Sequence, residues 1–375
     1  MKRLYYITRS FAPDNSGGAI VRTHTVNLLR QFFDVHVITC QDGPKEIGIE
    51  RIPVHYNIRI AGYLERLGIL QDYLYPWVQK VFKLFCNHIN NDDIVFCTSG
   101  GELGTIILGC LLKQHTNCKL VINHRDPITY TLVNGLKIDN KFHVNRDSLE
   151  EKYLSFADLI VTSSLSNLNS LLDKYPHFKD KLCNNYFGFI GEYRQKNKNA
   201  QDKPAFVYGG RFGRLQAPEI FAECCRPYQN KLDLIFIGDY HSYRQIRPYI
   251  DQYKFIDSMS QEKYHEMMID RASVGLLSLS SDYLGACVPA KLYDYIGLHL
   301  PMLGALPNGD AKNIINDNGF GIACYYKDKV SLSGAIEKML DIRFRNCILD
   351  NISEKCSEWS MNVRIIEIVD KINTL

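Results

Sequence analysis

The feature that most constrains this chain is a repeated order: a short β-rich run, a glycine loop, then an amphipathic helix, on both sides of one polar stretch. RLYYIT is followed by SFAPDNSGG and then by AIVRTHTVNLLRQF, in which Ile20, Val21, Leu28 and Leu29 fall at helical spacing. DVHVITC alternates as a strand and stops at Asp42-Gly43. DDIVFCTS, GGE and LGTIILGCLLKQH repeat the pattern, and CKLVINH and ADLIVTSS add buried-type strands. Strand-first units of this kind require crossover helices and therefore a parallel sheet. From Tyr186 to Pro204 the chain turns polar. A second series then begins: AFVYGG, a helix from Ala217, DLIFIGD, YKFID, a helix from Gln261, ASVGLLSLS, a helix carrying Lys291, and PMLGAL. The expected fold is α/β, with two doubly wound, Rossmann-like parallel-sheet domains facing a cleft. The domains are expected at 1–192 and 204–350, with 193–203 as linker. A final amphipathic helix over 351–375 is expected to pack back toward the first domain.

At 375 residues the chain exceeds one ordinary core, which agrees with two domains. Hydrophobic residues make up 46% and charged ones 23%, a globular composition. A net charge of +3 over this length gives no basic field of the kind a nucleic-acid binder needs. The twelve cysteines form no CxxC pair, and MKRLYYITRS does not read as a signal peptide. Reduced thiols in a cytoplasmic protein are expected. No uncharged apolar run approaches the roughly 18 residues of a membrane span.

In open α/β sheets ligands bind where strands end, so the residues just after strands matter most. Gly17 and Gly18 follow the first strand and precede a helix, where backbone N–H groups and the helix dipole can meet an anion; a plain flexible turn is the bland alternative. The spacing is not GxGxxG, which removes the main support for a dinucleotide site. Gly209-Gly210 open the corresponding loop of the second half, now with Arg211 and Arg214, whose guanidinium forks suit phosphate oxygens. Solvated surface arginines are the alternative. His124, Arg125 and Asp126 follow an apolar strand and are expected to project together, for acid/base work or for binding hydroxyls; a structural His–Asp contact competes with that reading.

VPAKLYDYIGLHLP places Lys291 and Asp294 three residues apart on one helix face. A lysine near a helix N-terminus opposes the dipole unless an anion meets it. Asp294 facing the same space suits two ribose hydroxyls, and a local ion pair is the competing reading. Arginine loop, lysine and carboxylate together describe a pocket for a nucleoside diphosphate sugar. No HExxH, zinc-like spacing or DxD motif occurs, so no metal and no other cofactor is expected, and side chains and helix ends must neutralise the phosphates.

From end to end the chain resembles the GT-B fold glycosyltransferases of the family 4 type. The resemblance is carried by FAPDNSGGAIVRTHTVNLL, VINHRDPIT, ADLIVTSSLSNLNSLLDKYP, NNYFGF, VYGGRFG and VPAKLYDYIGLHLPML, in that order. It implies a C-terminal half that binds the nucleotide sugar, with UDP as the expected nucleotide, an N-terminal half that binds the acceptor, and retained anomeric configuration. Lys291 and the Arg125–Pro127 segment resemble a subgroup that modifies surface polysaccharides and reads VPxKLYEY. Of that family's two glutamates eight positions apart, the second corresponds to Asp294 and the first falls on Ala286. Its phosphate-binding arginine corresponds to Arg211, whereas the lysine five residues on is Gln216, with Arg214 able to compensate. The resemblance implies His124, Asp126 and Arg211 as catalytic and Gly17, Gly18, Gly210, Arg211, Arg214, Lys291 and Asp294 as donor-binding. Expected partners are a nucleotide-sugar donor, a glycan or lipid-linked acceptor and a membrane surface, at the inner face of the cell membrane; nucleic acid is not expected. Two other functions share these features: a nucleotide-sugar 2-epimerase on the same fold, and a non-catalytic binding subunit, suggested by Ala286 and Gln216.

The segment from Tyr63 to His88 is aromatic and basic, with Arg66, Lys80 and Lys83. It suits a membrane interface through Trp77, Phe82 and Phe85, or else packs on the sheet, and Pro76 is expected to split it into two helices.

Overall fold

The computed structural model describes residues 1–129, 131–133, 135–137, 141–194 and 203–375, with the side chains of 141–145 left out. Most of the expected linker, 193–203, lies outside the described residues.

The chain divides into two compact units, Met1–Phe187 with Met361–Leu375, and Gly188–Ser360. In the first unit the elements run β1 (Arg3–Thr8), α1 (Gly17–Leu29), β2 (Asp34–Thr39), β3 (Ile49–Arg51), α2 (Ile58–Arg66), α3 (Tyr75–Phe85), β4 (Ile94–Gly100), α4 (Gly104–Thr116) and β5 (Lys119–Asp126). A small hairpin, β6 (Leu132–Val133) and β7 (Leu136–Lys137), then leads to α5 (Lys141–Leu154), β8 (Leu159–Thr162), α6 (Leu165–Lys174) and β9 (Leu182–Asn184). The seven-stranded sheet has the order β3-β2-β1-β4-β5-β8-β9. Its ladders are all parallel, with Leu4 beside Val35 on one flank and Ile94 on the other. Five of the six β1 residues are buried, because both faces of a parallel sheet are covered by crossover helices.

The second unit runs β10 (Ala205–Gly209), α7 (Glu219–Cys224), β11 (Asp233–Ile237), β12 (Lys254–Ile256), α8 (Gln261–Arg271), β13 (Val274–Ser278), α9 (Ala290–Gly297), β14 (Met302–Leu306), α10 (Asp310–Asp317), β15 (Gly321–Tyr325), α11 (Lys329–Leu340) and α12 (Ile342–Lys355). Its six strands follow the order β12-β11-β10-β13-β14-β15, again all parallel. In both sheets the order reverses beside the first strand, between β1 and β4 and between β10 and β13. Right-handed crossovers then place the helices before the reversal on one face and those after it on the other, which leaves a crevice at the carboxyl ends. That is the doubly wound α/β fold expected from the sequence.

The boundaries differ from expectation. The first unit ends at Phe187, and only α13 (Met361–Asn373) returns to it, packing on α1. Helix α12 stays in the second unit. Helix α7 begins at Glu219 because Ala217 takes φ 40° and Pro218 caps the helix. Gly17 and Gly18 are the first turn of α1 itself, capped by Ser16, whose hydroxyl accepts from Ala19 N–H at 3.4 Å.

The aromatic segment is two helices, with the break at 67–74 and Pro76 inside the first turn of α3, where its missing N–H costs nothing. Trp77 is core: it is 2% exposed, and its indole N–H donates to the Ile52 carbonyl at 2.8 Å. Phe82 and Phe85 pack against the same core. Sheet packing is therefore the role of these three aromatics. All twelve cysteines are free. Among the described residues no helix is long and apolar enough to cross a membrane.

Candidate functional site

In the second unit β10 ends at Gly209, and the chain enters the crevice through Gly210 with φ 129°, a conformation that favours glycine. Gly238, with φ 143° after β11, leaves room for the Gly210 carbonyl, which a Cβ there would strike. The missing side chain at Gly210 is used too, because a Cβ there would run into the Lys291 ammonium. Lys291 comes from the second residue of α9, on the far side of the switch point, and its Nζ stands 4.4 Å from the centroid of the Tyr208 ring. Tyr208 is itself fixed, since its hydroxyl donates to the Arg211 carbonyl at 2.7 Å.

Lys291 and Asp294 do not form the local ion pair that competed with the ligand reading. No carboxylate of the described residues lies within 4.0 Å of the Lys291 ammonium. Burial pushes the lysine down to about 8, partly offset by Asp294. Burial likewise pushes the Asp294 carboxyl up to about 6, partly offset by Lys291. Two half-buried charges that feel each other without pairing are poised for something else. Asp294 lines a separate cavity of about 480 Å³ with Arg194, Glu262 and His265. Arg211 and Arg214 are exposed, and the Arg214 carbonyl is held by the Ser280 hydroxyl of the loop after β13. The two loops flanking the switch point are thus tied together. A larger cavity, about 750 Å³, lies at the amino-terminal ends of β10, β11 and β12 around Ala205, Asp233 and Lys254 and holds none of the candidate residues.

The first unit brings Gly17-Gly18 and Arg125-Asp126 together: Arg125 Nη1 donates to the Gly18 carbonyl at 3.5 Å, and its guanidinium lies 4.2 Å from the Phe187 ring centroid. Burial and the neighbouring Arg22 push Arg125 down to about 10. Arg22, 5% exposed, bonds Ser10 and faces Glu102 at 3.9 Å. Two arginines and two carboxylates, Glu102 and Asp126, therefore meet at the ends of β1, β4 and β5.

His124 is not brought there. Strand β5 runs on to Asp126 with a register shift against β4 at Arg125, and the two side chains have different partners: His124 meets Glu150 and Asn167, whereas Arg125 meets Gly18. The imidazole is 0% exposed, with Nε2 3.3 Å from Glu150 Oε1 and Nδ1 3.0 Å from Asn167 Nδ2. Because the amide donates to Nδ1, the proton sits on Nε2 and points at Glu150. Burial would raise the Glu150 carboxyl, but the His124 bond and the Lys174 ammonium hold it below its ordinary value. Glu150 and Asn167 were not identified from sequence, nor was Tyr208; each is an ordinary helix or strand residue whose role appears only when the sheet closes. Ala286, at the place of the absent acid, is 1% exposed and packs. Among the described residues no three His, Cys, Asp or Glu side chains group as a metal set.

These two units, each with its crevice at the strand carboxyl ends, make a GT-B fold. Solved structures share it over the whole chain. One is HepE of Anabaena in complex with UDP and glucose, with TM-score 0.73, 12% identity and full coverage of both chains. Another is the lipopolysaccharide outer core galactosyltransferase WaaB, with TM-score 0.68, 12% identity and 99% of each chain. A third is a trehalose-6-phosphate synthase studied for glycosyl transfer with retention, with TM-score 0.69, 12% identity, 100% of this chain and 99% of that one. No protein-family model matches the sequence, and no curated protein matches it.

Proposed function

We propose that the protein is a retaining, metal-independent glycosyltransferase. It would move a hexose from a nucleoside diphosphate sugar, with UDP as the nucleotide, to a glycan or lipid-linked acceptor of cell-surface polysaccharide. One observation carries this reading: the Lys291 ammonium is held over Gly210 and Tyr208 at the switch point with no carboxylate of the described residues in contact, a cation placed to meet an anion. The UDP complexes of structures that share the fold support the choice of ligand.

In this reading Lys291, Arg211 and Arg214 offset the diphosphate charge that grows as the glycosidic bond to the donor breaks. The Gly210 N–H is committed to the Ile237 carbonyl at 2.8 Å, so the side chains carry that task. Asp294 accepts from ribose hydroxyls, while Gly17, Gly18 and Asp126 serve the sugars. His124 acts as a positioning residue that fixes the end of β5 through Glu150 and Asn167.

The test is calorimetric titration of the protein with UDP, GDP, CDP and dTDP, followed by transfer from the matching nucleotide sugar. Binding of one nucleotide with transfer to a glycan acceptor is expected. Binding without acceptor, with release of an epimerised donor, would replace the reading by the epimerase, and no binding of any nucleotide would remove it. Transfer should also keep its rate in excess EDTA, and a rate restored only by magnesium or manganese would overturn metal independence.

The perturbed pair sets a pH profile. Asp294 must be ionised to accept hydroxyls and is lost below about pH 6; Lys291 must be charged and is lost above about pH 8. A nucleotide sugar has diester phosphates that do not titrate in this range, so kcat/KM for it should be bell-shaped between those limits. A flat profile from about pH 5 to pH 9 would exclude both roles.

A further inference from the structure

Arg125 is an under-bonded charge at the carboxyl end of β5. A guanidinium carries five N–H donors, and donors withdrawn from water need acceptors. Among the described residues this one makes a single hydrogen bond, the 3.5 Å contact to the Gly18 carbonyl, and its Nε is buried without an acceptor. No carboxylate of the described residues comes within 4.0 Å of it. Its plane is held nonetheless, because the Phe187 ring centroid lies 4.2 Å away. Arg22 is better provided, with the Ser10 hydroxyl bonded to it and Glu102 at 3.9 Å. Both acids of the crevice turn to that side. A side chain at Gly100 would meet Arg22 Nη2 at 3.0 Å, Asp126 Oδ2 at 3.5 Å and Glu102 Oε2 at 3.6 Å. Gly100 is exposed and has no side chain, so the spot is open. One donor and two acceptors converging on it suit sugar hydroxyls, which both donate and accept. Three of the four charges thus share one spot, and Arg125 stands next to it in the chain without a counter-charge.

We propose that this crevice takes a sugar bearing a carboxylate, a hexuronic acid in chemical class, with ring hydroxyls over Gly100 and the carboxylate on the Arg125 fork. The fork matches the two oxygens of a carboxylate. Glu102 and Asp126 border the place, so it admits one negative charge and works against a dianionic phosphate. The inference deepens the proposed sugar transfer and rests on it for its purpose. The carboxylate can belong to the donor sugar or to the acceptor, and the two arms of the test separate these sources.

In the donor arm the full chain is titrated calorimetrically with UDP-glucuronate and UDP-glucose. In the acceptor arm methyl glucuronide, methyl glucoside and glucose 6-phosphate are compared by saturation-transfer NMR, with and without UDP. In one arm the glucuronate probe should bind about tenfold or more tighter than its neutral twin, the order of a hydrogen bond to a charged group. Arg125→Gln should erase that preference and leave UDP affinity unchanged, since UDP is assigned to the second unit. Arg125→Lys keeps the charge without the fork and should restore only part of it. Gly100→Ala should weaken glucuronate and glucose probes alike, about tenfold or more, by filling the spot assigned to the hydroxyls. Charged and neutral probes that bind equally, or not at all, in both arms would overturn the proposal. So would a preference that Arg125→Gln retains, or tighter binding of glucose 6-phosphate than of the glucuronide. A parent that ignores UDP refutes the donor reading alone, and the acceptor arm without UDP then decides for the carboxylate. If Arg125→Gln unfolds, Gly100→Ala decides, its backbone being ordinary strand: loss of the glucuronate probe upholds the site and undiminished binding removes it.

Discussion

Lys291→Met should leave a folded protein with kcat for sugar transfer lowered about 100- to 1000-fold, the effect of removing one preorganised charge from a developing anion. Methionine keeps the aliphatic stem over Gly210 and Tyr208 and removes only the charge. The ground-state loss is smaller: hydrogen bonds to charged groups contribute about 1.5–3 kcal/mol, or roughly 10- to 150-fold in nucleotide affinity. Asp294→Ala should show the other pattern, an affinity loss of that same order with kcat less affected, because ribose contacts are equal in ground and transition states. The fold should survive in both. The lost cation–π contact with Tyr208 is worth about 0.5–2 kcal/mol, and among the described residues Asp294 has no ion-pair partner to strand. Steady-state kinetics and calorimetry separate the two variants, with circular dichroism as control. A Lys291→Met protein that turns over like the parent would put the diphosphate elsewhere.

Trp77→Ala should unfold the first unit far more readily. Truncating a buried tryptophan costs about 3–5 kcal/mol, and the Ile52 carbonyl would lose its indole donor as well. Against a typical stability of about 5–15 kcal/mol, that is a large fraction. At about 2–4 °C per kcal/mol for a unit of this size, the melting temperature should fall by roughly 10 °C. Thermal denaturation followed by near-ultraviolet circular dichroism measures it. A variant that melts with the parent would return Trp77 to the surface and restore it as a membrane anchor.

Much of the architecture was readable because strand and helix periods are local. RLYYIT and VGLLS are apolar runs bounded by turn residues, and a strand–helix–strand order admits few topologies. The glycine at 210 and the lysine at 291 were readable for a related reason: each breaks a local rule, and broken local rules gather at sites. Distance hid the rest. Tyr208 is one aromatic in an apolar strand until α9, far along the chain, lays Lys291 on it. The end of β5 was placed too early because the polar letters of His124, Arg125 and Asp126 look like a loop, whereas hydrogen-bonded pairing with β4 and β8 lets a strand run on through them. The orientation of α2 was hidden as well: only the Glu65–Arg146 pair shows which side is held in, leaving Ile60, Tyr63 and Leu67 exposed.

The return of α13 to the first unit has a consequence for how the chain is made. A protein synthesised from its N-terminus has all of Gly188–Ser360 outside the ribosome before Met361–Leu375 has emerged. The second unit can therefore finish folding first, although it is encoded second. Until α13 arrives, α1 in the nascent first unit lacks the helix that packs on it, and Thr25 lacks the Ile365 and Ile368 side chains it faces in the finished protein. Loss of the last helix, by a premature stop or by proteolysis, would thus injure the start of the protein and spare its middle.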